Sequence, residues 1–264
     1  MSYYNLISLM PKTAPVDPDA QAFITAAAIT DPTQQAAINT LVVDLKGYSI
    51  WTKMQALYPF VGGTNAQHTW NLKNTAQFQI SWQGGVVSSA NGVQFNGINS
   101  YGITNYNLSI NANLNSHSIS FYSRTTGTSS LQCEIGVTGG ILEGGSGILL
   151  RFSGTTYYRV NTPATYITAA DTDSRAFYLA NRTASNVING WKNSTKVATG
   201  TTLSVSPLGN FNYTLGALNE NGVNNYLSAK QCAFASIGDG LTDTEAANFY
   251  TAVQAFQTTL GRQV

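Results

Sequence analysis

The sequence predicts a mainly β, antiparallel jelly-roll sandwich with helices at both ends. Three observations predict it: many short β-rich runs after about residue 65, glycine and Asn-Gly pairs between them, and capped, helically spaced stretches on either side. A chain of 264 residues can bury one large core, or one β domain with a small appendage.

The helical punctuation comes first. Asp17-Pro18 reads as an N-cap with proline at the first helical position, leading into residues 20–29. Asp31-Pro32-Thr33-Gln34 repeats the device with a capping-box glutamine. Behind it Ile38, Leu41, Val42 and Leu45 recur at helical spacing, and Gly47 supplies a stop. Ser49 is expected to cap a third short helix carrying Ile50, Trp51, Met54 and Leu57, ending before Pro59. The character changes at Val61-Gly62-Gly63. The expected division is therefore residues 1–64, an N-terminal arm and short helices for docking and assembly, and residues 65–264, the sandwich domain.

Strands are expected over residues 78–82, 92–95, 118–124, 131–137, 148–153, 157–160, 176–182, 195–199, 213–216 and 233–237. Between them lie Gly84-Gly85, Asn96-Gly97, Gly139-Gly140, Gly144-Gly145, Asn189-Gly190 and Asn221-Gly222. Such pairs supply the positive φ angles of tight hairpin turns, and many short strands at near-regular spacing indicate a sandwich. The C-terminus returns to helix. Thr242-Asp243-Thr244-Glu245 is a capping box, Ala246, Phe249, Tyr250, Val253, Phe256 and Leu260 form one apolar stripe, and Gly261 closes it.

Composition narrows the function. Only 9% of residues are charged, against roughly 25% in ordinary domains, so Asn, Gln, Ser and Thr must make the polar surface. The net charge is +1 and the 13 basic residues are scattered, whereas a nucleic-acid surface needs them clustered; no nucleic-acid partner is expected. No run approaches the ~20 apolar residues of a membrane-spanning helix. The first fifteen residues lack the basic region and the apolar stretch of a signal peptide, so none is expected. Without that route, Cys133 and Cys232 are expected as buried thiols, although a disulfide would close a long loop. Two cysteines and two histidines at long spacings do not form a zinc motif.

Several segments, in order, resemble laminin G-like members of the concanavalin A-like lectin superfamily. They are residues 92–101 (GVQFNGINSY), 118–124 (SISFYSR), 187–193 (VINGWKN, resembling an outer hairpin with an Asn-Gly turn), 213–219 (YTLGALN) and 234–250 (FASIGDGLTDTEAANFY). Together they cover roughly residues 75 to 260 and imply a concanavalin A-like jelly roll. Residues 50–63 (IWTKMQALYPFVGG) and 250–262 (YTAVQAFQTTLGR) resemble virion proteins of tailed phages, especially those infecting Bacteroidetes. That resemblance implies a head-fibre, decoration or tail-associated protein. A surface poor in charge and rich in Asn and Thr, on a chain without a secretion signal, agrees with a virion protein assembled in the host cytoplasm and exposed after lysis.

The concanavalin-like fold also hosts glucanases, which resemble one another in a Glu-x-Asp-x-x-Glu strand that this chain lacks. Glu134 stands alone on its strand, Glu143 lies among glycines, and Asp171 and Asp173 occupy a polar loop. Glycosidases need two carboxylates facing one bond, so no enzyme activity and no catalytic residue are expected. His68 and His117 are expected as surface or core-edge histidines. Asp171 and Asp173, with Thr172 and Ser174, could offer oxygens to calcium, but calcium wants 6–8 ligands, so no cofactor or metal is assigned. The glycines from Gly136 to Gly147 lack the lysine and helix start of a phosphate cradle and read as a flexible hairpin. Sugars are held by aromatic platforms with amide and hydroxyl partners, which makes Tyr157, Tyr158, Trp191 and Asn193 the candidate glycan or partner contacts, although the same residues suit core packing and turns, the favoured reading of Trp191.

The expected function is a structural and adhesive virion protein. Its N-terminal segment would meet other virion proteins, the jelly roll would face outward toward a host-surface glycan, and the chain would form a homo-oligomer. The alternative is a carbohydrate-binding module acting in glycan recognition, and behind it a glycan-degrading enzyme.

Overall fold

The computed structural model describes residues 15–127 and 130–264. All of the expected arm over residues 1–15 except Pro15 lies outside the described residues. Two proline-led helices follow. In α1 (Pro18–Ala26) the Asp17 carboxylate accepts the Asp19 N–H, and in α2 (Pro32–Gly47) Asp31 accepts from Gln34 at 2.9 Å. Gln34 turns away from the expected capping box: its side-chain oxygen accepts the Gly62 N–H at 2.7 Å.

The strands then run β1 (Met54–Tyr58), β2 (Ser81–Gln83), β3 (Val87–Ser89), β4 (Gly92–Gln94) and β5 (Tyr101–Asn107). After one turn of helix, α3 (Leu108–Asn111), come β6 (His117–Ser123), β7 (Ile135–Thr138), β8 (Gly145–Phe152), β9 (Thr155–Thr162) and β10 (Ile167–Ala170). The rest are β11 (Ala176–Ala184), β12 (Val187–Lys192), β13 (Thr195–Gly200), β14 (Asn212–Leu215), β15 (Leu218–Glu220), β16 (Val223–Asn225) and β17 (Gln231–Gly238), and α4 (Asp243–Thr259) closes the chain. The first sheet has the order β13-β12-β11-β6-β17-β4-β3, with β1 also paired to β17. The second has the order β10-β9-β8-β7-β14-β5-β2, with the β15–β16 hairpin attached to β7. Pairing is antiparallel throughout, apart from β15 against β7. Crossovers between non-consecutive strands make this a two-sheet sandwich of jelly-roll type.

Two apolar layers hold it together. Between the sheets, Ile119, Phe121 and Tyr178 of the first meet Ile148, Leu150, Tyr158 and Tyr213 of the second. On the other face of the first sheet, Phe177, Leu179, Trp191 and Phe234 are buried under Phe23, Ile38, Leu41 and Leu45 of α1 and α2 and Phe249 and Val253 of α4. This second layer draws residues from both sides of residues 64/65, so the N-terminal helices pack against the outer face of the first sheet. The C-terminal Arg262 ties the same regions. Its buried guanidinium donates to the carbonyls of Pro59 (2.6 Å), Phe60 (2.7 Å), Ala90 (3.2 Å) and Ala233 (3.0 Å) and to the Gln257 side chain (2.6 Å).

Two local expectations are corrected. The helix expected to carry Ile50 through Leu57 is a single 3-10 turn, Trp51–Lys53, followed by strand β1. The pairing of β1 with β17 shifts register between Met54 and Ala56. This bulge puts Met54 and Leu57, three residues apart, on the helical side, while Ala56 and Tyr58 enter the inter-sheet core. The apolar spacing thus imitates a helix. Asn189-Gly190, expected as a turn, sits inside β12, and the turns fall at Ser185–Asn186 and Asn193–Ser194. A Cβ on Gly190 would lie 2.5 Å from the Tyr158 ring, so this glycine serves packing between the sheets.

Candidate functional site

The outer face of the second sheet has no helix over it among the described residues. Strand alternation decides what it presents. On β9, Tyr158 and Val160 point into the core, so Tyr157 and Arg159 point outward. Leu149 on β8 and Leu218 and Glu220 on β15 join them. Beneath Leu218, Gly136 allows close packing: a Cβ there would meet the Cys133 Sγ at 2.6 Å and the Leu218 side chain at 2.8 Å. The result is a groove of ≈ 270 Å³ with aromatic walls. Phe152 and Tyr157 lie 6.1 Å apart, and Tyr157 meets Tyr166 edge-on at 6.0 Å. Thr138, Arg159, Ala164 and Glu220 also border an adjoining hollow of ≈ 240 Å³ beside Gly139, Gly140 and Ile141.

The polar groups of the groove, and the buried Glu134 near it in sequence, are held firmly. Arg159 donates through Nε to the Thr162 carbonyl at 2.9 Å and through Nη2 to the Thr138 hydroxyl at 3.1 Å, and its cation lies 5.7 Å from the Tyr166 ring centre. Glu220 accepts from the Asn225 amide at 3.0 Å. Glu134 is fully buried: its Oε2 accepts the Leu150 N–H at 2.7 Å, and the buried Lys230 ammonium stands 4.0 Å away. Burial outweighs both partners and pushes the Glu134 carboxyl up to about 8. An aromatic wall with one cation, one carboxylate and several hydroxyls can stack a ring and exchange hydrogen bonds with it.

The candidate contacts separate sharply. Tyr157 lines the groove. Tyr158, its neighbour, is fully buried between the sheets. Trp191 is 3% exposed and packs under the helices, in the structural role that the sequence favours for it. Asn193 holds a turn: its φ is 55° and its Oδ1 accepts the Phe177 N–H at 3.0 Å. Phe152, Arg159, Tyr166 and Glu220 escaped the sequence reading. The available signal was parity, since Tyr157 and Tyr158 cannot share one strand face and Arg159 must lie with Tyr157.

Other expected chemistry is placed elsewhere. The Asp171 carboxylate receives the Lys192 ammonium at 2.6 Å, the Tyr178 hydroxyl at 2.7 Å and the Thr156 hydroxyl at 2.8 Å, and Asp173 pairs with Arg175 at 2.7 Å. Cations and hydroxyls thus occupy the oxygens considered for calcium. His117 Nε2 lies 2.7 Å from the Tyr213 hydroxyl in the core, and burial pushes both His117 and His68 down to about 3. Cys133 and Cys232 are buried free thiols.

No family model matches the chain, and no curated protein matches it. Solved structures do match. A structure of botulinum neurotoxin type C, whose cell entry is described as dependent on interaction with two ganglioside molecules, is 14% identical over 78% of this chain and 52% of its own, with a TM-score of 0.51. The CBM40 module of the Ruminococcus gnavus IT-sialidase is 17% identical over 54% of this chain and 89% of that module, with a TM-score of 0.43. The NanB sialidase of Streptococcus pneumoniae is 16% identical over 58% of this chain, with a TM-score of 0.46, and the chain spans only 26% of that enzyme. At such identities the likeness is one of fold. The chain is a mainly β, two-sheet antiparallel sandwich with a C-terminal helix, similar in fold to lectin-like jelly-roll domains.

Proposed function

We propose that this chain is a non-catalytic carbohydrate-binding module that takes glycan in the groove on the outer face of the second sheet. The observation that carries the reading is the Phe152–Tyr157–Tyr166 aromatic wall beside Arg159, Glu220 and Thr138, on the sheet face that the helices leave open. Glu220 is the one carboxylate lining the two hollows among the described residues, whereas most glycoside hydrolases work through a facing pair. The toxin of similar fold is described as interacting with gangliosides, which are glycan-bearing; the property is the toxin's. A glycan array followed by calorimetry on the best ligand tests the reading. Tyr157→Ala should weaken that ligand about tenfold, the scale of ~1.4 kcal/mol. An array with no binder, or full affinity in Tyr157→Ala, would count against the groove.

A second proposal is that the module serves on a virion, as a homo-oligomer among other virion proteins. Its motive is that residues 50–63 and 250–262, which carry the phage resemblance, touch each other through Arg262 and the carbonyls of Pro59 and Phe60. Mass spectrometry of purified particles tests the location, and sedimentation of the chain tests its association.

A further inference from the structure

The groove has two compartments and one charged junction, and both constrain its ligand. The aromatic compartment measures ≈ 270 Å³ and the compartment beside Gly139 and Gly140 ≈ 240 Å³. Each alone falls short of the ~300 Å³ at which ligand sites usually begin, and the two together exceed it. A ligand that fills both must pass between Thr138, Arg159, Ala164 and Glu220, which border both.

At that junction the charges are one of each sign, and the positive one is committed. The side-on fork of Arg159, Nε with Nη2, already donates to the Thr162 carbonyl and the Thr138 hydroxyl. Only 4% of the residue is exposed. A guanidinium so engaged has lost the fork that would grip a carboxylate side-on. Glu220 is partly exposed, and its carboxylate suits hydroxyl donors and repels another carboxylate. Charge complementarity therefore favours an uncharged ligand rich in hydroxyls.

Resting on the glycan-binding reading above, we infer that the ligand is a neutral oligosaccharide of at least two units. One ring lies against Tyr157 and the next beside Gly139 and Gly140, Arg159 and Glu220 meet hydroxyls at the linkage, and the Glu220 carboxylate turns acidic sugars away.

The test is calorimetry on the full chain with neutral mono-, di- and trisaccharides and with sialylated and uronate counterparts of the same size. The best neutral di- or trisaccharide should bind at least about tenfold tighter than its single units and its acidic counterpart. Glu220→Gln should narrow the gap between acidic and neutral ligands. Gly140→Phe should lower oligosaccharide affinity to the monosaccharide level; a Cβ at Gly140 meets nothing closer than the Glu143 Cδ at 3.9 Å. Equal or tighter binding of the acidic probe overturns the charge selection. A monosaccharide that binds as tightly as the oligosaccharides, or a Gly140→Phe chain with undiminished affinity, overturns the two-compartment ligand. If no saccharide of either class binds, the glycan reading itself falls and this inference with it.

Discussion

Phe249→Ala tests whether helices and sandwich form one folding unit. Phe249 is fully buried, with its ring 5.4 Å from Phe177 and 6.0 Å from Phe234, both on the first sheet. The same apolar cluster includes Ile38, Leu41 and Leu45 of α2. Truncating such a phenylalanine costs about 3–5 kcal/mol, through lost transfer energy and the cavity left behind. Two edge-to-face partners place the value near ~4 kcal/mol, because ring contacts are lost as well as area. That is a large share of the ~5–15 kcal/mol that holds a typical domain folded. At ~2–4 °C per kcal/mol for a chain of this size, the melting temperature should drop by about 8–16 °C. Urea unfolding followed in parallel by tryptophan fluorescence and far-ultraviolet circular dichroism is the assay. Trp51, Trp70 and Trp191 report on the helical layer and Trp82 on the inter-sheet core. Both signals should move in one transition with a lowered midpoint, while Thr251→Ala on the exposed side of α4 stays within ~0.5 kcal/mol of the parent. A loss below ~1 kcal/mol, or two separated transitions, would refute a shared core. By the same reasoning, removal of residues 1–60 should unfold the chain and not release a free β domain.

Three further outcomes follow from other parts of the structure. Arg182 is buried and donates to the carbonyls of Val160, Ala184, Ser185 and Thr202 at 2.6–3.1 Å, so Arg182→Met should cost about 3 kcal/mol or more by leaving them without a donor. Arg182→Lys should not restore this, since one ammonium cannot span the four; a parental urea midpoint for the lysine variant would sink the account. Gly190→Ala should cost about 1–3 kcal/mol, because the new methyl must displace the buried Tyr158 ring, and an unchanged midpoint would contradict that packing. Glu134 titrates at about 8 when folded against 4.5 as its ordinary value, so the folded chain holds this proton more tightly. Its contribution is fully present below 4.5 and is lost as pH rises through about 8. His68 and His117, lowered from 6.5 to about 3, act in the opposite sense and only below 6.5, which leaves the interval from there to about 8 to Glu134. Stability should fall across that interval by at most ~1.4 kcal/mol per pH unit, and Glu134→Gln should flatten it. A parent whose unfolding midpoint holds or climbs there would show the carboxyl to be ionised.

Much of the fold was legible because its signals are local. Asp17-Pro18, Asp31-Pro32 and the Thr242–Glu245 capping box act within one helical turn, and each starts a helix where the sequence predicts. Asn221-Gly222 makes a tight hairpin turn with φ of 53° and 88°, which those two residues adopt at little cost. The same dipeptide at Asn189-Gly190 misled, since Gly190 answers to Tyr158, a ring brought from another sheet. The segment from Met54 to Tyr58 misled for a similar reason: its bulge exists only in its pairing with β17.

The sequence by itself determined the sandwich class, the helices at its two ends and the shortage of charge on the polar surface. Tertiary structure alone decided which aromatic residues face outward. Tyr157 and Tyr158 are adjacent and chemically alike, yet one lines a groove and the other fills the core, because a strand sends neighbours to opposite faces. Composition cannot say which face is the open one. That choice was made when α1, α2 and α4 covered the first sheet, leaving Arg159, Tyr166 and Glu220 to meet Tyr157 across the second.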